Sequence, residues 1–218
     1  LIEGWHLFEE AVQAGVTIEK VFALESYRDQ LAAFPQTIWV SEEILLDLAD
    51  TQTPQGIVAV IQKEEVGLPD FSQGKFLFLE DVQDPGNVGT MIRTADAAGF
   101  TGVIVSDKSA DIYSLKTLRS MQGSHFHLPI YRMSLASFVE EAKKSNLPIL
   151  ATTLSRDSKD YRELSPLENF ALVMGNEGQG ISSVMAESAD QLVHIGMKGR
   201  AESLNVAVAA GILMFYFS

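Results

Sequence analysis

Three glycine-containing segments combine acidic, amide and guanidinium side chains that could bind and activate a ligand. The first, residues 79–100, reads LEDVQDPGNVGTMIRTADAAGF, in which a strand pattern ends in an acidic turn and a helix pattern follows. The pattern predicts a helix that starts near Asn87, is capped by Asp84 or Asn87, and carries Arg93. The glycines of the turn would let a substrate approach the helix N-terminus. The alternative is an ordinary strand-to-helix turn in which Arg93 is a solvated residue.

The second segment, residues 172–182, has the sequence LVMGNEGQGIS. Gly175, Gly178 and Gly180 crowd a predicted strand-to-helix turn, which is typical of nucleotide-binding loops. Their order differs from the dinucleotide-binding fingerprint, and no lysine follows them as in a P-loop. Glu177, among these glycines, disfavours an anion and suits a cationic or hydroxyl-bearing ligand.

The third segment, residues 194–217, reads HIGMKGRAESLNVAVAAGILMFYF. Ser203 is the predicted N-cap of the last helix, which places Asn205 in the first turn, where a polar side chain indicates a partner. The small residues that follow favour close helix packing, either in a core or at a dimer interface. These small residues are Ala207, Ala209, Ala210 and Gly211.

Other catalytic signatures are absent from the sequence. There is no cysteine, which excludes a disulfide scaffold, a thiolate nucleophile and a cysteine-based metal site. His125 and His127 alternate as neighbours in a strand do, but no third ligand has suitable spacing, so we predict no metal site. The G-x-S-x-G and H-E-x-x-H patterns are also missing, which argues against hydrolases and metalloproteases.

The distribution of charged residues indicates whether the protein can bind a nucleic acid. The 218 residues include 16 Lys and Arg against 29 Asp and Glu, a formal net charge of −13. Residues 1–70 hold 13 of the acidic and 3 of the basic residues, whereas residues 71–218 hold 16 and 13. Such a balance counts against a nucleic-acid partner, because phosphate groups usually bind a basic face.

Targeting signals are not apparent in the sequence. The start of the chain lacks the basic-then-apolar order of a signal peptide. The longest apolar run, residues 204–217, contains Asn205 and is shorter than the roughly 18 residues that a membrane span needs. We therefore predict a cytoplasmic protein with no membrane partner. Because the chain begins at Leu1 without a methionine, we also expect a further N-terminal segment.

The pattern of elements predicts two domains. Residues 1–65 alternate short helical and strand patterns, which favours a small α/β module, and residues 66–74 form a polar, breaker-rich linker. From residue 75 to 218, strands alternate with helices, which predicts a mostly parallel sheet with helices on both faces. Ligands of such sheets bind at the carboxyl ends of the strands.

Together and in this order, the three segments resemble the motifs of the SpoU (TrmH-like) RNA ribose methyltransferases of the SPOUT superfamily. DPGNVGTMIRTADAAGF resembles the first motif of that family, LVMGNEGQGIS the second and ESLNVAVAAGI the third. The combination is highly specific, and the likeness covers about two thirds of the chain. The module at residues 1–65, which opens with LIEGWHLFEEA, is similar to the L30e-like substrate-binding domain of many members, here incomplete at its N-terminus.

The resemblance implies a fold and a cofactor that composition does not reveal. The fold would be an α/β sheet with a deep trefoil knot at its C-terminal end, against the usual rule that chains are unknotted. The protein would form a homodimer through this domain and bind S-adenosyl-L-methionine among the knot loops. The implied cofactor-binding residues are Thr152, Gly175, Asn176, Glu177, Gly178, Ile195, Gly196, Met197, Ser203, Leu204 and Asn205.

The implied reaction is methyl transfer from S-adenosylmethionine to a ribose 2′-hydroxyl of structured RNA, with rRNA favoured over tRNA. The hydroxyl must lie in line with the methyl group and lose its proton. The implied catalytic residues are Arg93, Asn87, Glu177, Ser203 and Asn205. Arg93 would activate or orient the hydroxyl, and its guanidinium could instead neutralise an RNA phosphate, because arginine normally stays protonated.

Gly196 departs from the resemblance, since the family usually has proline between the isoleucine and methionine of this segment. Glycine would keep main-chain contacts and lose rigidity. Two other functions therefore stay open. One is a non-catalytic RNA-binding protein that retains the fold, and the other is a nucleotide-dependent α/β enzyme unrelated to RNA, which only the turn at Gly175 suggests.

Overall fold

The computed structural model describes residues 1–49, 51, 53–63 and 66–218. The predicted boundary at residue 65 lies outside these residues. The first part contains a four-stranded sheet in the order β1-β4-β2-β3, whose only parallel pair is β2 with β3. Its elements are β1 (Ile2–Glu3), α1 (Trp5–Gln13), β2 (Ile18–Ala23), β3 (Thr37–Trp39), α2 (Glu42–Leu48) and β4 (Ile57–Ile61).

Two local signals read from the sequence explain where these helices begin and end. The Oγ of Ser41 accepts a hydrogen bond from the Ile44 N–H at 3.3 Å, which confirms Ser41 as the N-cap of α2. Gly15 follows α1 with a φ of 73°, a left-handed conformation that glycine adopts without steric cost.

The second part contains a seven-stranded sheet in the order β7-β6-β5-β10-β8-β11-β9, and each neighbouring pair is parallel. The predicted mostly parallel α/β sheet is thus confirmed. Its strands are β5 (Lys75–Leu79), β6 (Gly102–Val105), β7 (Ile130–Arg132), β8 (Ile149–Thr152), β9 (Lys159–Asp160), β10 (Phe170–Met174) and β11 (Gln191–His194). Its helices are α3 (Pro85–Ala97), α4 (Leu115–Met121), α5 (Leu135–Lys144), α6 (Ser183–Ser188) and α7 (Val206–Phe217).

Alternate residues of the central strands point to two separate cores. On one face, Leu77 and Leu172 pack in a cluster with residues of α3, α4 and α7. On the other face, Phe78 and Val173 pack in a cluster with residues of α5 and α6. Both faces are therefore buried, so the strands are near-continuous apolar runs and not alternating ones.

The N-terminus of α3 is built from the turn that the sequence singled out. The Asp84 carboxylate accepts a hydrogen bond from the Asn87 N–H at 2.8 Å, so Asp84 is the N-cap and Pro85 the first helical residue. A Cβ added at Gly89 would lie 2.5 Å from the Ser120 Cβ, so a glycine is needed for the close approach of α3 and α4. This packing fixes the direction in which the helix N-terminus points.

The structure corrects two sequence predictions. Asn205, not Ser203, caps α7: its Oδ1 accepts hydrogen bonds from the N–H groups of Ala207 and Val208. Both residue types are good caps, and the side-chain contacts of Asn205 decide between them. His125 and His127 do not lie in a strand, because residues 124–126 form a 3₁₀ turn.

The two sheets are joined by polar contacts between side chains. Arg119 on α4 lies 3.2 Å from the buried carboxylate of Glu3. His127 lies between Glu10 on α1 and Asp96 on α3, at 3.0 and 3.3 Å. Among the described residues, no helix combines the length and apolar character that a membrane span requires.

Candidate functional site

A cavity of about 590 Å³ lies at the carboxyl ends of β8, β10 and β11, where ligands of parallel sheets bind. Most of the predicted cofactor-binding residues line it, and Gly196 and Asn205 do not. The predicted residues in its wall are Thr152, Gly175, Asn176, Glu177, Gly178, Ile195, Met197, Ser203 and Leu204. Of the predicted catalytic residues, Glu177 and Ser203 are in the wall, while Arg93, Asn87 and Asn205 lie outside it.

The glycine-rich loop after β10 is closed by its own backbone. Asn176 and Gly180 exchange two backbone hydrogen bonds, of 3.0 and 2.9 Å. The Asn176 Oδ1 accepts from the N–H groups of Gly178 and Gln179, and its Nδ2 donates to the Asp81 carbonyl at 2.8 Å. Asn176 thus shapes this loop and ties it to the turn after β5.

Glu177 connects the second predicted motif to the first. Its carboxylate accepts hydrogen bonds from the backbone N–H groups of Gln83 and Asp84 and from the Asn87 Nδ2, each at 3.1 Å. Partial burial raises the pKa of Glu177, but these hydrogen bonds together outweigh it, so the net pKa lies below its ordinary value. The carboxylate therefore stays ionised and organises the turn before α3.

Asn87 and Asn205 extend this connection to the third motif. The Asn205 Nδ2 donates to the Asn87 Oδ1 at 3.0 Å, while the Asn205 Oδ1 caps α7. Each amide thus uses its donor and its acceptor on different partners. A continuous chain of hydrogen bonds, Asn205 to Asn87 to Glu177, joins the three segments beside the cavity.

Positive charges surround the same turn. Lys116 lies 3.1 Å from Asp84, and Lys108 lies 3.7 Å from Asp81. The backbone bond from Asn87, followed by the Lys116 ammonium, holds the pKa of the Asp84 carboxyl below its usual range. Arg93 is exposed on α3, and its guanidinium makes no hydrogen bond to the part of the chain that the structure describes.

Sequence reasoning missed several residues of the cavity wall. His194 is one of them, and its Nδ1 lies 3.0 Å from the Ser158 Oγ. Its position in the third segment was visible, but nothing in the spacing indicated Ser158 as its neighbour. The other missed residues are Thr153, Leu154, Ser155, Met174, Gln179, Gly180, Ile181, Val193, Val206, Ala209 and Leu213.

The Glu177 carboxylate predicts a specific pH dependence of stability. Because its folded-state pKa is lowered, the stabilisation is complete above the ordinary value of 4.5 and disappears as the pH falls through the folded-state pKa. We expect Glu177→Gln to be less stable than wild type at pH 7, with the difference shrinking below pH 4.5. Denaturant unfolding of both proteins between pH 7 and 3 measures this. A difference in unfolding free energy that stays constant with pH would contradict it.

Comparisons with known proteins cover nearly the whole chain. Residues 74–215 match the SpoU rRNA Methylase family, and residues 1–66 match the RNA 2′-O ribose methyltransferase substrate binding family. The 23S rRNA (guanosine(2553)-2′-O)-methyltransferase of Bacillus subtilis is 42% identical, over 99% of this chain and 87% of that protein. A putative TrmH family tRNA/rRNA methyltransferase of Staphylococcus aureus is 31% identical, over 99% of this chain and 94% of that protein.

A solved structure also matches this chain over nearly its full length. An AdoMet-bound rRNA methyltransferase from Sinorhizobium meliloti superposes with a TM-score of 0.87 and 32% sequence identity. The match covers 98% of this chain and 84% of that one. The fold is thus shared with a protein that has been crystallised with AdoMet bound.

Proposed function

The chain belongs to the SpoU rRNA methylase family, and on this premise we propose that it transfers a methyl group from S-adenosylmethionine to a ribose 2′-hydroxyl of rRNA. The expectations of family, enzyme class and cofactor are confirmed by the comparisons. The observation that carries the proposal for this chain is the hydrogen-bonded chain of Asn205, Asn87 and Glu177. It joins all three motifs beside a cavity of suitable size.

The cavity fits S-adenosylmethionine in size and in chemistry. Its volume of about 590 Å³ lies within the range of roughly 300–1,000 Å³ that is usual for small-molecule sites. Ile195, Leu204 and Leu213 offer apolar contact for an adenine, while the glycine-rich loop offers backbone N–H and C=O groups. No lysine or arginine lines the wall, which suits a cofactor without phosphates.

When bound, the cofactor supplies an electrophilic methyl group on its sulfonium sulfur. The protein must hold the ribose oxygen in line with that methyl group and stabilise the charge that develops as the hydroxyl proton leaves. We assign the first task to the turn ordered by Glu177 and Asn87, and the second to the guanidinium of Arg93. Because a guanidinium stays protonated, Arg93 would act by orienting the oxygen and neutralising a nearby phosphate.

Exposed basic residues near the site answer the electrostatic objection to an RNA partner. The net charge is concentrated in residues 1–70, and none of the described residues in that range lines the cavity. Lys108 and Lys116 are more than half exposed beside the turn before α3, and Lys198 and Arg200 are exposed in the loop after β11. We propose that these four cations bind the RNA backbone and bring the ribose to the cavity.

We propose that two copies of the chain associate through α7. Val208, Ile212 and Phe215 follow one another at helical spacing on α7 and are all exposed, up to 58% for Phe215. An apolar stripe of this kind is typical of an interface. A second copy on this stripe would also explain why Arg93 lies outside the cavity wall of its own chain, since α3 packs beside α7.

The dimer proposal predicts that Phe215→Glu weakens association strongly. Burying a carboxylate in an apolar interface should raise the dimer dissociation constant by about a hundredfold or more. Analytical ultracentrifugation measures the change, and methyl transfer should fall with it. Ile44→Glu is the matched control, because Ile44 is half-exposed on α2, which packs on β4 of the four-stranded sheet. An unchanged dimer in the Phe215 variant would refute the assigned interface.

Three further features of the architecture are part of the proposal. The first is the division into an L30e-like RNA-binding domain at residues 1–65, a linker at 66–74 and a catalytic domain at 75–218. The second is a trefoil knot, which is supported by the path of α7: after β11 the chain returns to pack on α3 and β10, and Tyr216 contacts the 161–164 segment. The third is a cytoplasmic location, where rRNA would be accessible.

Cofactor binding and turnover together distinguish this function from a non-catalytic RNA-binding protein. Calorimetry with S-adenosylmethionine should show binding, and incubation with total RNA and labelled cofactor should show transfer. Binding without transfer to any RNA would favour the non-catalytic alternative. Binding of NAD or ATP in place of S-adenosylmethionine would favour the unrelated nucleotide enzyme.

A further inference from the structure

A short edge segment supports the loop that enters the cavity after β11. The strand β9 pairs with β11 in parallel, so that Asp160 lies opposite His194. His194 is followed by Ile195 and then by Gly196, and the next residue, Met197, lines the cavity again. Asp160 therefore stands beside the point where the strand ends and the cavity wall begins.

Asp160 is held rigidly by Arg162. The Arg162 Nε donates to Oδ1 at 2.8 Å and its Nη2 donates to Oδ2 at 2.7 Å, which is the two-pronged arrangement that a guanidinium forms best with a carboxylate. The Oδ1 also accepts from the Arg162 backbone N–H. Only 15% of the Asp160 side chain is exposed. The side-chain bonds from Arg162, and to a smaller degree the backbone N–H of Gly196, hold the pKa of Asp160 well below its ordinary value.

The carboxylate fills the space that a side chain at position 196 would need. A Cβ built on Gly196 would lie 2.6 Å from the Asp160 Oδ2 and 3.5 Å from the Arg162 Nη2. An aspartate side chain usually moves away from such an approach, but two bonds from Arg162 hold this one in place. Gly196 and Asp160 are thus a matched pair.

The turn that carries Arg162 is itself fixed to the last helix. The hydroxyl of Tyr216 donates to the carbonyl oxygens of Arg162 and Leu164, at 3.4 and 3.1 Å. The rings of Tyr161 and Tyr216 meet edge to face at 4.8 Å. Asp160 consequently connects the cavity loop to α7 through a chain of direct contacts.

We propose that Asp160, clamped by Arg162, is a positioning residue that holds the 195–197 segment in the shape that binds the cofactor. Glycine has more backbone freedom than any other residue, so an unsupported Gly196 would have to be ordered at each binding event. The clamp removes that cost before the ligand arrives. This inference rests on the proposed function, because it takes S-adenosylmethionine as the ligand of the cavity.

A double-mutant cycle tests the pair. Asp160→Ala removes the support, and Gly196→Ala pushes the carboxylate away, so each should weaken S-adenosylmethionine binding by about fivefold in calorimetry. In the double variant, the methyl group of the new alanine at position 196 enters the space that the carboxylate leaves. The loss of S-adenosylmethionine affinity in the double variant should therefore be no larger than in either single variant. Gly199→Ala is the matched control, since a Cβ there meets nothing within 4 Å.

Hydrogen exchange of the ligand-free protein separates this inference from the proposed function. Amides at residues 195–197 should exchange faster in Asp160→Ala than in wild type, whatever the cavity binds. The proposed role of Asp160 would be refuted if Asp160→Ala changed neither the amide exchange at residues 195–197 nor the S-adenosylmethionine affinity. It would also be refuted if the affinity losses of the two single variants simply multiplied in the double variant. Failure of wild type to bind S-adenosylmethionine would instead refute the proposed function. If Asp160→Ala does not fold, Arg162→Met is tested instead, because it removes the side-chain bonds that hold the Asp160 carboxylate and keeps the carboxylate itself.

Discussion

Arg93→Ala should reduce methyl transfer by roughly a thousandfold while cofactor affinity stays within about twofold of wild type. Arg93 is exposed and lies outside the cavity wall, and its guanidinium has no hydrogen bond to the described part of the chain. Its removal therefore takes no support from the fold or from the cofactor loops. In the proposed mechanism it takes away the positive charge that orients the ribose oxygen and its phosphate, an interaction that matters most in the transition state.

Arg93→Lys distinguishes orientation from charge. Lysine keeps the positive charge but lacks the planar pair of donors, so a variant with intermediate activity would indicate that geometry matters. Single-turnover transfer, with cofactor binding measured on the same preparations, gives both quantities. If the Arg93→Ala protein transferred methyl groups at the wild-type rate, Arg93 would have no role in catalysis. A loss of cofactor affinity equal to the loss of rate would point to a binding role instead.

Gly175→Ala should abolish cofactor binding, with an affinity loss of about a hundredfold or more. The added Cβ would lie 2.3 Å from the Gly180 carbonyl carbon and 2.4 Å from the Ile181 nitrogen. Both are backbone atoms, so the clash is relieved only by opening the loop that Asn176 and Gly180 close. Opening it would also displace Glu177, and with Glu177 the turn before α3.

Gly178→Ala in the same loop is the comparison for this prediction. Its Cβ would approach only the Asn176 Oδ1, at 3.7 Å, which is ordinary van der Waals contact. We expect a much smaller loss of affinity, about threefold at most. Calorimetry on both variants, with circular dichroism to check folding, measures the difference. Equal losses in the two variants would show that the loop responds to any added methyl group and not to the clash at Gly175.

The sequence allowed the sheet to be predicted, together with the glycine-rich part of the cavity wall. After residue 75, strand and helix patterns alternate clearly, because each strand is an apolar run and each helix follows a capping residue. Ser134 and Ser182 are two of these N-caps. The glycine spacing around Gly175 located the loop that lines the cavity. These signals are local, and a local pattern can be read without knowing the fold.

The features that the sequence did not reveal depend on distant contacts. Asn205 was placed inside α7 because serine two positions earlier is an equally good cap by type. The Ala207 and Val208 N–H groups bond to its Oδ1 and make it the cap, and its Nδ2 bonds to Asn87, which is distant in sequence. Glycine in place of proline at position 196 predicted a less rigid segment, and no residue near it in the sequence indicated a contact with Asp160. Pairing of β9 with β11 brings the two together.

The position of the transferred methyl group tests the central claim most directly. Total RNA from cells that lack this protein is incubated with the protein and with tritiated S-adenosylmethionine, and the rRNA and tRNA are then separated and hydrolysed with alkali. A 2′-O-methyl group blocks cleavage at its own ribose, so the account predicts label in rRNA, confined to an alkali-resistant dinucleotide. Label on a base, or no label in any RNA although the protein binds the cofactor, would contradict it.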